Sequence, residues 1–221
     1  MARIDGTDAR NILTGTAGGD TVYGYDGDDS SYGRGGNDVI YGGNGRDSLF
    51  GEDGRDTLYG GNGRDLLYGQ DGADLLYGDA GFDQLSGGAG NDVLNGGAGS
   101  DDLIGGSGAD IFQYLSSTAD NAPNGDQFVD FIYDFSRADG DRIGVAQIDA
   151  NPYRAGDQDF TFIGTREFSG SVGQVRYQRE LDPAGDPQTR VEFDVNGDRV
   201  SDLTVLLVNG YVNLTSDDFF L

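Results

Sequence analysis

From Gly15 to Gln113 a large apolar side chain returns at every ninth position: Val22, Ile40, Leu49, Leu58, Leu67, Leu76, Leu85, Leu94, Leu103 and Phe112, with Ser31 in the one remaining place. The pattern cuts this stretch into eleven nine-residue blocks without an insertion, with Gly at positions 1 and 4 and Asp at position 6 of every block. Positions 7 to 9 predict a strand of about three residues whose middle side chain, position 8, points inward while its neighbours point outward. A strand so short cannot bury a core alone. The strict period predicts stacking instead, odd blocks over odd and even over even, as two parallel sheets around one thin core. At ~4.8 Å per strand the eleven half-coils make a rod roughly 25 Å long. A degenerate unit, Gly6 to Thr14, keeps Gly6 and Leu13 but has Asn11 where Asp belongs. Residues 1–14 therefore read as an N-terminal cap and residues 15–113 as the roll.

Past Gln113 the period stops and apolar density rises. Strand-like runs lie at 128–135, 160–163, 172–178, 191–195 and 203–208, separated by Gly, Asp, Asn and Pro. The fold class is all-β: a parallel β-roll of nonapeptide repeats followed by a β-rich C-terminal capping region, residues 114–221, that covers the lower end of the roll.

Charge changes this from a fold argument into a chemical one. The chain has 39 acidic residues, 35 of them Asp, against 14 basic residues that are all Arg, for a net charge of −25. It has no His, Cys, Lys or Trp. Ser-His-Asp and Cys-His catalysis, Schiff-base chemistry, zinc sites and disulfides are thereby excluded, and the chain reads as non-enzymatic. A charge of −25 argues against nucleic acid as a partner. The longest apolar-rich run, 203–208, is far short of the ~18 residues of a membrane span. Residues 1–6 show no apolar segment of the kind an N-terminal signal peptide carries.

Stacked blocks stack their loops, and the loops carry Asp20, Asp29, Asp38, Asp47, Asp56, Asp65, Asp74, Asp83, Asp92, Asp101 and Asp110. Carboxylates a few ångström apart repel unless cations lie between them. Carboxylates plus the backbone carbonyls of the same Gly-rich loops form the ligand set of Ca²⁺, which accepts six to eight oxygens in irregular geometry, rather than of the smaller, octahedral Mg²⁺. Pairing each loop with the next on its own edge gives about nine inter-loop sites. Metal binding and folding are then expected to be one event. A weaker set, Asp194, Asn196, Asp198 and Asp202, has oxygen side chains at offsets 0, 2, 4 and 8. Gly197 is misplaced for an EF-hand and no Glu closes the loop, so a polar turn is the alternative.

The block G-G-x-G-x-D-x-U-x, with U large and apolar, resembles the RTX (hemolysin-type) calcium-binding nonapeptide. That resemblance implies a right-handed parallel β-roll, Ca²⁺ between stacked loops, and export through type I secretion machinery to an extracellular location. Position 2 departs from it, being Thr16, Tyr25, Arg34, Glu52, Gln70 or Asp79 in six blocks. The segments FVDFIYDF (128–135), with Asp139, Asp141 and Ile143, and FIGTREFSGSVGQVRY (162–177) resemble the C-terminal part of serralysin-type metalloproteases. Those enzymes carry a zinc H-E-x-x-H domain ahead of the roll, and with no His here that activity is not carried over. A terminus such as Asp217-Asp218-Phe219-Phe220-Leu221 is associated in such proteins with an uncleaved secretion signal, and it also reads as a final strand in the cap.

Position 9 is aromatic in the first seven blocks, which predicts two outward ladders, Tyr23-Tyr41-Tyr59-Tyr77 and Tyr32-Phe50-Tyr68, with Leu66 and Leu75 beside them at position 7. Two readings stand: stacking between neighbouring strands, or a surface for self-association or glycan contact. Arg46, Arg55 and Arg64 at position 5 read as counter-charges for the Asp loops. The functional expectation is a secreted Ca²⁺-binding module that extracellular Ca²⁺ folds after export. The alternatives are an accessory region severed from an extracellular enzyme (protease, lipase or polysaccharide-modifying enzyme) and an adhesive or membrane-active surface protein.

Overall fold

The computed structural model describes residues 1–115, 129–145, 160–197, 199 and 201–220. In chain order the strands are β1 (Arg3–Asp5), β2 (Ile12–Thr14), β3 (Thr21–Asp26), β4 (Ser30–Gly35), β5 (Val39–Gly45), β6 (Ser48–Asp53), β7 (Thr57–Gly63), β8 (Leu66–Asp71), β9 (Leu75–Gly81), β10 (Gln84–Ala89), β11 (Val93–Asn95), β12 (Asp102–Ser107) and β13 (Ile111–Gln113). Beyond the period come β14 (Asp130–Ile132), β15 (Arg142–Gly144), β16 (Thr161–Phe162), β17 (Gln174–Leu181), β18 (Pro187–Asp194), β19 (Leu203–Leu207) and β20 (Phe219–Phe220). Among the described residues no helix is long and apolar enough to cross a membrane.

Alternate strands separate into two sheets, as the nine-residue half-coil requires. One runs β1-β3-β5-β7-β9-β11-β13-β15-β20 and the other β2-β4-β6-β8-β10-β12-β14-β19-β18-β17-β16. Position 8 pairs with position 8 eighteen residues on, as in Ile40 with Leu58 and Leu49 with Leu67. Every apolar position-8 side chain from Val22 to Phe112 is at most 1% exposed. The parallel ladder is longer than the eleven blocks. β1 and β2 open it before Gly15, and β14, β15, β19 and β20 continue it past Gln113.

The strands are longer than the three residues expected. Most run six or seven residues because the ladder resumes after the position-1 glycine, pairing Tyr25 with Gly43 and Asp26 with Asn44. Glycine permits this: a Cβ on Gly24 would lie 2.2 Å from the Gly42 carbonyl oxygen of the next rung. The next residue, position 2, then turns the chain in the left-handed region even where it is not glycine, at Tyr25, Arg34, Glu52, Gln70 and Asp79 (φ 70° to 79°). Each of these holds ~1 kcal/mol or more of strain, which the surrounding ladder sustains.

Past the period, β17 and β18 form an antiparallel hairpin and β19 joins it antiparallel on one side while pairing parallel with β14 on the other. The core ends on rings: Phe112 packs on Phe135, Phe162 on Phe219, and Phe193 meets Phe160 and Phe219 edge-on. Phe219 is buried in β20. Ser31 is the flaw in the core. It is fully buried between Leu13 and Leu49, and its hydroxyl has no hydrogen-bond partner. Replacing Ser31 by Val restores the pattern of the other rungs and removes that buried polar group, so Ser31→Val is expected to raise stability by about 1 kcal/mol or more in chemical denaturation. An unchanged or lower midpoint would count against this reading of the core.

Candidate metal centre

Each loop ends on the Asp at position 6, directly before the strand whose next-but-one residue enters the core. That adjacency pulls the carboxylate inward, and Asp20 through Asp110 at position 6 are all at most 1% exposed. They form two columns, one per edge of the roll. In each column the Asp N–H of one rung donates to Oδ1 of the Asp one rung on: Asp20 to Asp38, Asp56, Asp74, Asp92 and Asp110 in turn, and Asp29 to Asp47, Asp65, Asp83 and Asp101, at 2.6 to 2.9 Å.

The second oxygen is the informative one. Oδ2 of Asp29, Asp38, Asp47, Asp56, Asp65, Asp74, Asp83, Asp92, Asp101 and Asp110 is buried with no hydrogen-bond partner. A buried carboxylate oxygen without a partner is costly, and a repeating series of them calls for a cation. From Asp29 to Asp92 each Oδ2 lies against the position-1 glycine of its own block beside the position-1 carbonyl of the next rung: a Cβ on Gly78 would meet Gly96 O at 2.4 Å and Asp83 Oδ2 at 2.7 Å. The position-4 glycines from Gly36 on are as tightly held. A Cβ on Gly81 would sit 1.5 Å from the Gly63 carbonyl oxygen and 2.9 Å from Asp83 Oδ1. The loops thus gather carboxylate and carbonyl oxygens around space that only glycine leaves open, which suits a hard, oxygen-loving cation. Among the described residues no three acidic side chains converge on one point. Any cation here would accordingly draw most of its oxygens from backbone carbonyls.

Asp20 stands apart. Its Oδ2 accepts from the Thr16 hydroxyl and the Thr16 N–H, both at 2.7 Å, and these bonds with the Ala2 N–H lower its pKa. At this first rung Thr at position 2 supplies the donors that the other Oδ2 atoms lack. Elsewhere burial acts in the opposite sense, assisted by neighbouring carboxylates and opposed by the Asp N–H. It pushes Asp47, Asp56 and Asp92 up to about 7, Asp83 to about 8, and Asp65, Asp101 and Asp110 to about 6.

Two column members lie outside the period and were missed by a search for blocks. Asp130 Oδ1 accepts from the Asp101 N–H at 2.9 Å, and Asp141 Oδ1 from the Asp110 N–H at 3.0 Å. The signal was present as Asp-x-apolar triplets, Asp130-Phe131-Ile132 and Asp141-Arg142-Ile143, which copy positions 6 to 8. Asp134 assists by accepting from Gly105 and Gly106 N–H.

In the weaker set, Asp194 accepts from the N–H of Gly197 and Arg199, and Asp202 from the N–H of Val195 and Asn196 and the Asn196 side chain. These oxygens face N–H donors, the geometry of a polar turn. Asp198 lies outside the described residues. Arg46, Arg55 and Arg64 make no ion pair with the Asp columns. Their contribution is at most long-range, as where Arg55 partly offsets the upward shift of Asp74.

The chain from residue 5 to 112 matches the family model for the RTX calcium-binding nonapeptide repeat (4 copies), at residues 5–40, 23–58, 32–67, 41–76, 50–85 and 77–112. No curated protein matches the sequence. Among solved structures, the AlgE6R2 subunit of the Azotobacter vinelandii mannuronan C5-epimerase is 25% identical with a TM-score of 0.49, over 74% of this chain and 91% of that one. The extracellular lipase LipA of Serratia marcescens is 18% identical with a TM-score of 0.48, over 99% of this chain. This chain spans 40% of the length of that lipase. The unbroken nonapeptide register, the two parallel ladders it builds and the matched family model make residues 5–112 an RTX calcium-binding repeat module.

Proposed function

We propose that the chain is a secreted, non-enzymatic Ca²⁺-binding module that folds when it meets extracellular Ca²⁺. The observation that carries this reading is the double column of buried, partnerless Oδ2 atoms. The ligands are the position-6 carboxylates from Asp29 to Asp110 with backbone carbonyls of the same loops, at about nine inter-loop sites. Asp130 and Asp141 extend the columns, and Asp20 is the weakest member. When bound, Ca²⁺ supplies the positive charge that lets stacked carboxylates remain ionised and buried. The core is one position-8 side chain thick and cannot offset their repulsion alone.

Export follows the same logic. In a cytosol poor in Ca²⁺ the columns repel and the chain stays threadable. Type I secretion machinery would pass it out, with Asp217–Leu221 as the signal read before folding. Outside, sites of ~10⁻⁴–10⁻³ M affinity fill and the roll closes, so folding biases movement outward.

Circular dichroism during a Ca²⁺ titration tests this. Excess chelator is expected to leave the repeat region without β-structure, and Ca²⁺ near ~10⁻⁴–10⁻³ M to fold it cooperatively, with Mg²⁺ ineffective at the same concentration. A folded roll in chelator at neutral or higher pH would sink the reading. Asp65→Ala is expected to raise the Ca²⁺ midpoint several-fold, whereas Asp53→Ala, at the exposed end of β6, leaves it unchanged. Removal of metal also exposes a pH dependence. The folded pKa values of about 6 to 8 lie above the unfolded value of ~3.9, so the metal-free roll binds protons more tightly than the unfolded chain. Any structure that persists in chelator is therefore most stable near pH 4 and loses stability as pH rises through 6 to 8. In chelator the β-signal in circular dichroism should be greatest at pH 4.5 and fall through pH 6 to pH 8, and the reverse order would contradict burial of these carboxylates.

A further inference from the structure

One aromatic ladder stops abruptly. Tyr32, Phe50 and Tyr68 stack at 4.9 and 5.2 Å with planes 5° apart. The next rung places Ser86 opposite Tyr68, and the rung after that places Ile104 opposite Ser86. One ring is missing from the stack. The gap opens a cavity of about 300 Å³ lined by Tyr68, Gln84, Leu85, Ser86, Asp102, Ile104 and Tyr133. Its polar rim converges on Asp102, whose Oδ1 accepts from the Tyr133 hydroxyl at 2.9 Å and whose Oδ2 accepts from Gln84 Nε2 at 3.1 Å. Those two neutral donors leave the carboxylate without a cationic partner among the described residues, whose lining of the slot contains no Arg.

The same molecule shows what completes such a set. At the start of the other ladder the Arg3 guanidinium lies 4.6 Å over the Tyr23 ring while its Nε and Nη2 donate to Asp5 at 2.9 to 3.0 Å. Arg176 lies 4.4 Å over Phe168 and donates to Glu192 at 2.8 Å. Both pair a planar cation with an aromatic face and a carboxylate at its edge. The Ser86 slot has the face, Tyr68, and the carboxylate, Asp102, but no cation. The spacing agrees. Asp102 stands two rungs from Tyr68 along the stack, ~9.6 Å, and two residues from it along the strand, so a guanidinium in the Ser86 rung meets Asp102 by pointing its edge along the strand. A planar group of ring thickness also fits a stack whose period is ~4.8 Å.

We propose that the slot over Ser86 is a binding site for a guanidinium group, stacked on Tyr68 and hydrogen-bonded to Asp102. The cation comes from an arginine side chain of a partner polypeptide or from a free guanidino compound. About nine Ca²⁺ offset roughly 18 of the chain's 25 net negative charges, and the remaining negative charge favours either one. Tyr133 holds Asp102 in place, and Gln84 and Ser86 supply the remaining polar edge.

The test uses the full chain loaded with Ca²⁺, with NMR shifts of Gln84, Ser86 and Ile104 followed as N-acetyl-arginine amide is added. Saturable shifts are expected at about millimolar concentration, with N-acetyl-lysine amide at least ~10-fold weaker because it lacks the planar fork. Asp102→Asn is expected to weaken binding ~10-fold or more. Ser86→Tyr, which restores the missing ring, should abolish binding while leaving the Ca²⁺-induced circular dichroism unchanged. A peptide with a central arginine that binds more than ~10-fold tighter than the amide identifies a polypeptide as the source, and equal binding identifies the small cation. Equal binding of the lysine and arginine amides, or undiminished arginine binding by both variants, would overturn the proposal.

Discussion

A carboxylate withdrawn from water needs a positive partner or a full set of donors, and this roll withdraws one at every half-turn. The Asp N–H of the preceding rung answers one oxygen of each column member. The other, from Asp29 to Asp110, is answered by nothing among the described residues. The remaining architecture follows from accommodating that arrangement. The glycines at positions 1 and 4 let carbonyls come as close as 1.3 Å to where a Cβ would stand, and this close approach keeps the loops in register with the columns. The core behind them is one side chain thick, and it shows no reserve of packing that would hold the columns against their own charge.

The two faces and two ends of the roll solve smaller problems with ordinary means. Outward rings stack at ladder spacing, from Tyr23 to Tyr77 on one sheet and from Tyr32 to Tyr68 on the other, which stiffens short parallel strands. At its start the first ladder is covered by Arg3. At the far end of the roll the phenylalanines around Phe193 and Phe219 close the core, and the hairpin of β17 and β18 extends the second sheet beyond the ladder. The last strand, β20, is part of that closure, so Asp218 and Phe219, within the terminus proposed to be read during export, are buried in the finished fold.

Much of this was legible in the sequence because the period is strict and the physics of each position is local. Position 8 had to face inward and position 6 had to stack once the register was given. Strand length was not legible, since it depends on whether backbone can pass beneath a neighbouring rung at Gly24 and its equivalents, a three-dimensional contact. Nor was the left-handed turn at Tyr25 or Gln70, where the ladder imposes a conformation those residues do not prefer. Asp130 and Asp141 were visible only as Asp-x-apolar triplets stripped of their glycines. Spacing alone could not tell whether Asp194 and Asp202 face a cation or N–H groups, because both arrangements place oxygens at the same offsets. The slot at Ser86 was hidden for another reason. Its wall, Tyr133, comes from outside the repeats and reaches Asp102 only after β14 joins the ladder.

The coupling of cation to fold is tested most directly by amide hydrogen exchange at the N–H groups of Asp47, Asp56, Asp65, Asp74 and Asp83. Each of these donates to the next carboxylate in its column, so each reports whether that column is assembled. If the columns exist only around Ca²⁺, these amides are strongly protected in saturating Ca²⁺ and exchange together, at the rate of an unstructured chain, once chelator is added. Protection that survives in chelator at neutral pH would contradict it.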